Sequence, residues 1–300
     1  MVKNRYLIGA VMVFTGAVMF SAKAVLIKLA YRHPVDAISL LTLRMLMALP
    51  FYIIVSIYLS VRTKPTKLKR KDYLSVLVLG MLGYYLASFF DFYGLEFITA
   101  SLERLILFVY PTFVALILAV VFKNKISRLQ ILAILMTYAG ILVIVTNDLN
   151  MEDQKDVWVG GGLILLSALT FAVYLVGSGE IIPRIGSIRF TAMAMSVSAV
   201  CVILHYLASH PVTAITSFDR EVYMLALTIA LLSTVLPSFL LSEGILRVGS
   251  SNASIIGGIG PVSTIVLAYF FLGERITWIQ IIGTAFVISG VLMISLKNRK

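Results

Sequence analysis

Apolar residues along this chain neither alternate nor form a one-sided helical stripe. They come in continuous runs separated by short polar segments. A helix of about 20 apolar residues spans the hydrocarbon of a bilayer, whereas the strands of a membrane barrel would alternate. The pattern predicts ten spans, at about 7–30, 36–60, 73–94, 97–122, 129–146, 158–180, 188–208, 222–244, 250–272 and 278–296. Pro34, Pro65, Asn147 and Pro211 punctuate some of the connections. The expected fold is an all-α polytopic membrane protein.

Composition narrows this further. The chain is 60% hydrophobic and 13% charged, with a mean hydropathy of +1.00, which excludes an ordinary soluble domain. The basic, then apolar N-terminus resembles a secretory signal. It lacks a small-residue cleavage site followed by a soluble region, so the first span is expected to be retained. A single cysteine, Cys201, permits no internal disulfide or thiol metal cluster.

The net charge of +11 reads as topology rather than nucleic-acid binding. With the N-terminus inside, the inner segments hold Lys3 and Arg5, the cations of 62–71, Lys123, Lys125 and Arg128. They also hold Arg184, Arg189, Arg247, Lys297, Arg299 and Lys300. The outer segments hold only Arg32, Lys155, Arg220 and Arg275. Such a bias orients membrane proteins. It predicts cytoplasmic termini in the cell (inner or plasma) membrane.

A shift of 150 positions superposes the chain on itself without a gap. Gly94 meets Gly244, Ser101 meets Ser251, Pro111 meets Pro261, Gln130 meets Gln280 and Gly140 meets Gly290. Two units follow, 1–150 and 151–300. Five spans per unit is an odd number, so the second unit enters the membrane from the opposite side. Inverted repeats recur in secondary transporters, where two pseudo-symmetric halves open a central site alternately to each side.

These residues also resemble a family. Phe20–Lys28, followed by Leu43-Arg44, looks like the opening of a repeat in EamA-type transporters of the drug/metabolite transporter superfamily. Each unit has a Pro-centred span, 100–122 and 250–272. The second ends in Leu272-Gly273-Glu274-Arg275, the family's turn; the first has Phe122-Lys123-Asn124-Lys125 instead. The family's usual Trp near Phe20 is absent. The resemblance implies ten helices, cytoplasmic termini and passage of small metabolites through a central cavity.

Charges inside the spans are the candidate chemistry, because an ionisable group in hydrocarbon needs a partner or a purpose. Counted from the outer ends, Lys23, Arg44 and Glu103 lie at similar depth. Glu103 is expected to pair with Arg44 or Lys23, and Asp91 to lie nearer the outer face. Lys28 is close enough to the outer end to snorkel. Two readings stand: an ion-paired latch, or a pocket where Arg44 or Arg104 grips an anionic group. Lys23, Arg44, Asp91, Glu103, Arg104, Tyr110, Tyr174 and Asn252 form the candidate substrate site. Pro111 and Pro261 are expected to kink or hinge their helices.

No phosphate-binding loop, metal-ligand set or nucleophile–base pair is present in the sequence, so neither an enzyme nor a cofactor is expected. The expected function is secondary transport of a small metabolite, an amino acid or related organic anion, by alternating access. Protons are the candidate coupling ion, and the protein is expected to be a monomer or homodimer. A flippase of lipid-linked substrate, a membrane-embedded enzyme and a non-transporting membrane subunit are the rivals.

Overall fold

A computed structural model describes residues 2–62, 68–121, 128–149, 156–248, 256–257 and 259–297. Among them there is no strand. In hydrocarbon no water satisfies the backbone, so a spanning segment must close its hydrogen bonds within itself. The helices are α1 (Val2–Ala30), α2 (Ala37–Arg62), α3 (Arg70–Gly94), α4 (Ala100–Val121) and α5 (Arg128–Leu149). They continue with α6 (Val157–Ile185), α7 (Ser187–Ser209), α8 (Arg220–Val248), α9 (Ile259–Leu272) and α10 (Trp278–Lys297).

Seven helices among the described residues are long and apolar enough to cross a membrane: α1, α2, α3, α4, α6, α7 and α8. Shorter apolar helices cover Ile134–Val143, Ile259–Leu272 and Trp278–Gly290. Large apolar side chains such as Val120, Phe270 and Trp278 point outward, a surface that only a lipid environment tolerates. The protein is a multi-pass membrane protein.

Local chemistry sets the helix ends. Asp36 caps α2: its Oδ1 accepts the amides of Ile38 and Ser39, both at 3.0 Å, and its Oδ2 accepts the Ser39 hydroxyl at 2.6 Å. Thr277 and Gln280 form a reciprocal capping pair at the start of α10. Gly186, at φ 89°, turns the chain between α6 and α7, and Gly273, at φ 73°, turns it between α9 and α10.

Three helices depart from regular α geometry. Residues Met81–Leu86 of α3 and Leu231–Val235 of α8 are π-helical turns. The same 150-residue offset places one on the other. Helix α4 is interrupted at Phe108–Val109, between the segments Ala100–Leu107 and Tyr110–Val121. Pro111 accounts for this break, because its ring collides with the carbonyl four residues earlier, that of Leu107.

The packing is interlaced. Helix α1 lies against α8 and α9, while α6 lies against α3 and α4; α2 packs on α7 and α5 on α10. Close crossings need glycine. A Cβ on Gly94 would sit 2.6 Å from Ile164 Cδ1 and 3.1 Å from the Gly160 carbonyl oxygen. One on Gly244 would sit 2.6 Å from Val13 Cγ2 and 3.1 Å from the Gly9 carbonyl oxygen. The main buried core draws chiefly on α1, α2, α3, α7 and α8, with Ala100 of α4 and Ala268 of α9. It surrounds the charged groups described next.

Candidate functional site

Helix α1 brings Lys23 between two acids. Its Nζ lies 2.6 Å from Asp91 Oδ2 on α3 and 3.6 Å from Glu103 Oε1 on α4. The Lys23 side chain is 14% exposed, Asp91 1% and Glu103 0%. The expected Lys23–Glu103 pairing is present. Asp91 is within reach of Lys23 because the long lysine side chain spans the gap from α1 to α3. Asp91 Oδ1 and both Glu103 oxygens have no hydrogen-bond donor among the described residues. A buried carboxylate without donors is costly, so Lys23 is the cation that makes both acids tolerable.

Arg44, on α2, does not pair with Glu103. Its guanidinium lies over the Phe92 ring, 5.1 Å from the centroid, and Nη2 reaches Ser88 Oγ at 3.4 Å. Its Nε and Nη1 have no acceptor among the described residues. Arg104 turns toward the other half of the sequence. A Cβ added to Gly260 of α9 would stand 2.5 Å from Arg104 Nη2, so glycine there makes room for the guanidinium. Arg104 Nε also lacks an acceptor among the described residues. Three cations thus face two carboxylates inside the helix bundle, with guanidinium donors to spare among the described residues. An anionic group would satisfy them with charge-assisted hydrogen bonds.

Helix α9 is tied to α1 beside this cluster. The Ser21 hydroxyl donates to the Gly260 carbonyl at 3.0 Å, and the Thr264 hydroxyl donates to the Ser21 carbonyl at 3.1 Å. Tyr110 meets Phe171 edge-on, with ring centroids 5.3 Å apart. Tyr174 is buried and donates to the Tyr84 hydroxyl at 3.0 Å, and its ring fills the space left by Gly83. These aromatics form a wall between α3, α4 and α6. Tyr93 is half-exposed and stacks on Phe89, outside that wall. Asn252 lies outside the described residues. Pro261 sits in the first described turn of α9, and the segment before it, 249–255, also lies outside them.

A cavity of about 520 Å³ opens above the cluster, at the face where α1 ends and α4 begins. Lys28, Tyr31, Arg32, Val35, Glu96, Thr99, Leu272 and Glu274 line it. Lys28 donates to the Leu95 carbonyl at 3.1 Å, and Glu96 Oε1 accepts the Ala37 amide at 2.9 Å. Burial pushes the Glu96 carboxyl above its ordinary range, more than that amide pulls it down. Glu274 caps the start of α4. Oε1 accepts the Ala100 amide at 2.9 Å, while Oε2 accepts the Ser101 amide at 3.2 Å and its hydroxyl at 2.5 Å. Among the described residues no group of His, Cys, Asp and Glu could hold a metal ion.

The sequence profile of the EamA-like transporter family matches residues 7–146 and again residues 158–296. The chain belongs to the EamA-like transporter family. A Bacillus subtilis (strain 168) protein called uncharacterized transporter YcbK is 33% identical to it, over 97% of this chain and 95% of that one. Uncharacterized transporter YyaM of the same strain is 26% identical over 75% of this chain and 74% of its own. An uncharacterized transporter of Archaeoglobus fulgidus is 23% identical over 76% and 78% of the two chains. A protein of known crystal structure shares the fold, with a TM-score of 0.66 and 17% identity over 99% of this chain and 98% of that one. Family and relatives make this chain a membrane transporter.

Sequence reasoning placed no role on Glu274, Ser21 or Thr264 in this EamA chain. Glu274 was visible as part of the family's turn, yet nothing in a single sequence says that the turn reaches the start of α4. The contacts of Ser21, Gly260 and Thr264 run through backbone carbonyls, which no residue pattern reveals.

Proposed function

We propose that this EamA-family chain is a secondary transporter that moves a small organic anion, an amino acid or a related metabolite, across the cell membrane by alternating access. The observation that carries the reading is the buried cluster. Lys23, Arg44 and Arg104 converge there with Asp91 and Glu103, and three guanidinium nitrogens lack acceptors among the described residues. Hydrocarbon tolerates such groups where they line a substrate or ion path.

The interlaced packing supports two inverted five-helix units within a ten-span chain. Helix α1 embraces α8 and α9 as α6 embraces α3 and α4, which is the relation a pseudo-two-fold axis imposes. In this reading the units are 1–150 and 151–300, and the termini are cytoplasmic. The Asp91–Lys23–Glu103 group makes protons the coupling ion: a proton on one acid releases part of Lys23's charge to the substrate. Pro111 serves as a hinge, with Pro261 as its counterpart. Tyr110, Tyr174 and Asn252 complete the lining.

A thermal-shift screen of the purified protein against organic anions, amino acids, sugars and nucleosides tests this. A ligand that binds the folded state raises its melting temperature. The expected result is a shift with an anion, abolished by Arg44→Ala or Arg104→Ala, followed by uptake of that anion into proteoliposomes. A sugar or nucleoside response untouched by both variants would overturn the anion assignment. Lipid scrambling without solute uptake would assign a flippase.

A further inference from the structure

We infer that the 520 Å³ cavity is the vestibule of the transport route, and that Glu274 is the gate residue closing it above the charged cluster. The inference rests on the transport reading but uses different residues. Cavity and cluster share three segments of chain. Lys28 lies five positions beyond Lys23, Glu96 five beyond Asp91, and Thr99 four before Glu103. At 1.5 Å per helical residue, the vestibule floor stands roughly 6–8 Å above the cluster. That short distance is closed, since Asp91 and Glu103 are fully buried.

Glu274 accomplishes the closure. It belongs to the α9–α10 turn, yet both its carboxylate oxygens are held by the first turn of α4 through three hydrogen bonds. A carboxylate on exposed amides at a helix N-terminus is favoured both by those bonds and by the helix dipole. The contact joins positions 173 and 174 residues apart, so it ties the second half of the chain to the first at the mouth. Gly273, beside Glu274, takes a positive φ of 73°, a backbone state that glycine adopts without strain, and among the described residues nothing packs against the position a Cβ would take. The counterpart of Glu274 at the 150-residue offset is Asn124, an amide without the charge. The sequence therefore carries this carboxylate in one half only.

Thiol labelling tests the gate without knowledge of the substrate. Ser88, the half-buried neighbour of Arg44, becomes the reporter in a Cys201→Ser, Ser88→Cys protein. A charged, membrane-impermeant methanethiosulfonate is added to intact cells or to inverted membrane vesicles. Adding Glu274→Gln is expected to raise the labelling rate roughly tenfold from the vestibule side and to lower it from the opposite side, as a shift between two access states requires. Ser101→Ala removes one of the three bonds and is expected to give a smaller rise on the same side.

A rate unchanged by both variants, or raised equally from both faces, overturns the gate. If Glu274→Gln fails to fold, as judged by its melting curve, Ser101→Ala decides alone. Absence of solute flux in proteoliposomes would instead remove the transport reading, whatever the labelling shows.

Discussion

Lys23 is the residue on which the interior depends. Replacing it with Met leaves Asp91 and Glu103 buried together without the cation that pairs with both. Breaking a buried pair in this way costs about 3–5 kcal/mol, so a large drop in melting temperature is expected. Adding Asp91→Asn removes one stranded charge, and the double variant is expected to recover much of that loss. Transport should not recover with it. Recovery of both would reduce the cluster to a structural latch. Glu96 yields a pH prediction. Burial raises its folded-state pKa above the unfolded value, so the folded state holds the proton more tightly. Its stabilising effect is complete below the unfolded value and is lost as pH rises through the folded one. Melting curves across the acidic range should show that decline, and Glu96→Gln should flatten it.

At this scale the sequence was partly legible. Charges in apolar runs stand out, and counting residues set Lys23 and Glu103 at one level. The partner of Arg44 was not legible, because a ring face and a serine hydroxyl are ordinary neighbours in any apolar span.

Elements show where chain pattern ends and backbone geometry begins. The break in α4 follows from a proline whose position can be read directly. The π turns of α3 and α8 have no such signature, since a wide turn needs one extra residue rather than a special one. Gly94 and Gly244 matched in sequence, and the structure supplies the reason: each marks a close crossing onto a helix of the opposite half. Gly94→Ala and Gly244→Ala should therefore each destabilise the protein by about 1–3 kcal/mol, the usual cost of overpacking. Gly260→Ala should behave differently. Its Cβ meets the mobile end of Arg104, so stability should barely change while affinity for an anion falls. Melting curves with and without the ligand separate the two classes.

For the whole molecule, length of apolar run and placement of cations were enough to set the membrane class and an expected orientation. Epitope tags at both ends should react with antibody only after the cells are permeabilised; reactivity in intact cells would reverse the orientation. The interlacing of the halves was beyond the sequence, because a repeat fixes how many units exist and not which helix lies on which. That interlacing has a consequence for synthesis. When α6 leaves the ribosome, α3 and α4 are already waiting for it. Helix α1 emerges first, while α8 and α9, against which it packs, arrive roughly 200 residues later. At about 5–20 residues per second that is a delay on the order of 10–40 s. Lys23 finds Asp91 and Glu103 once α3 and α4 are made, but throughout the longer delay the face of α1 that meets α8 and α9 stays open to lipid or to a temporary partner. Helices α6 and α1 thus have opposite histories: one is seated on arrival, and the other waits for its packing partners until the chain is nearly finished.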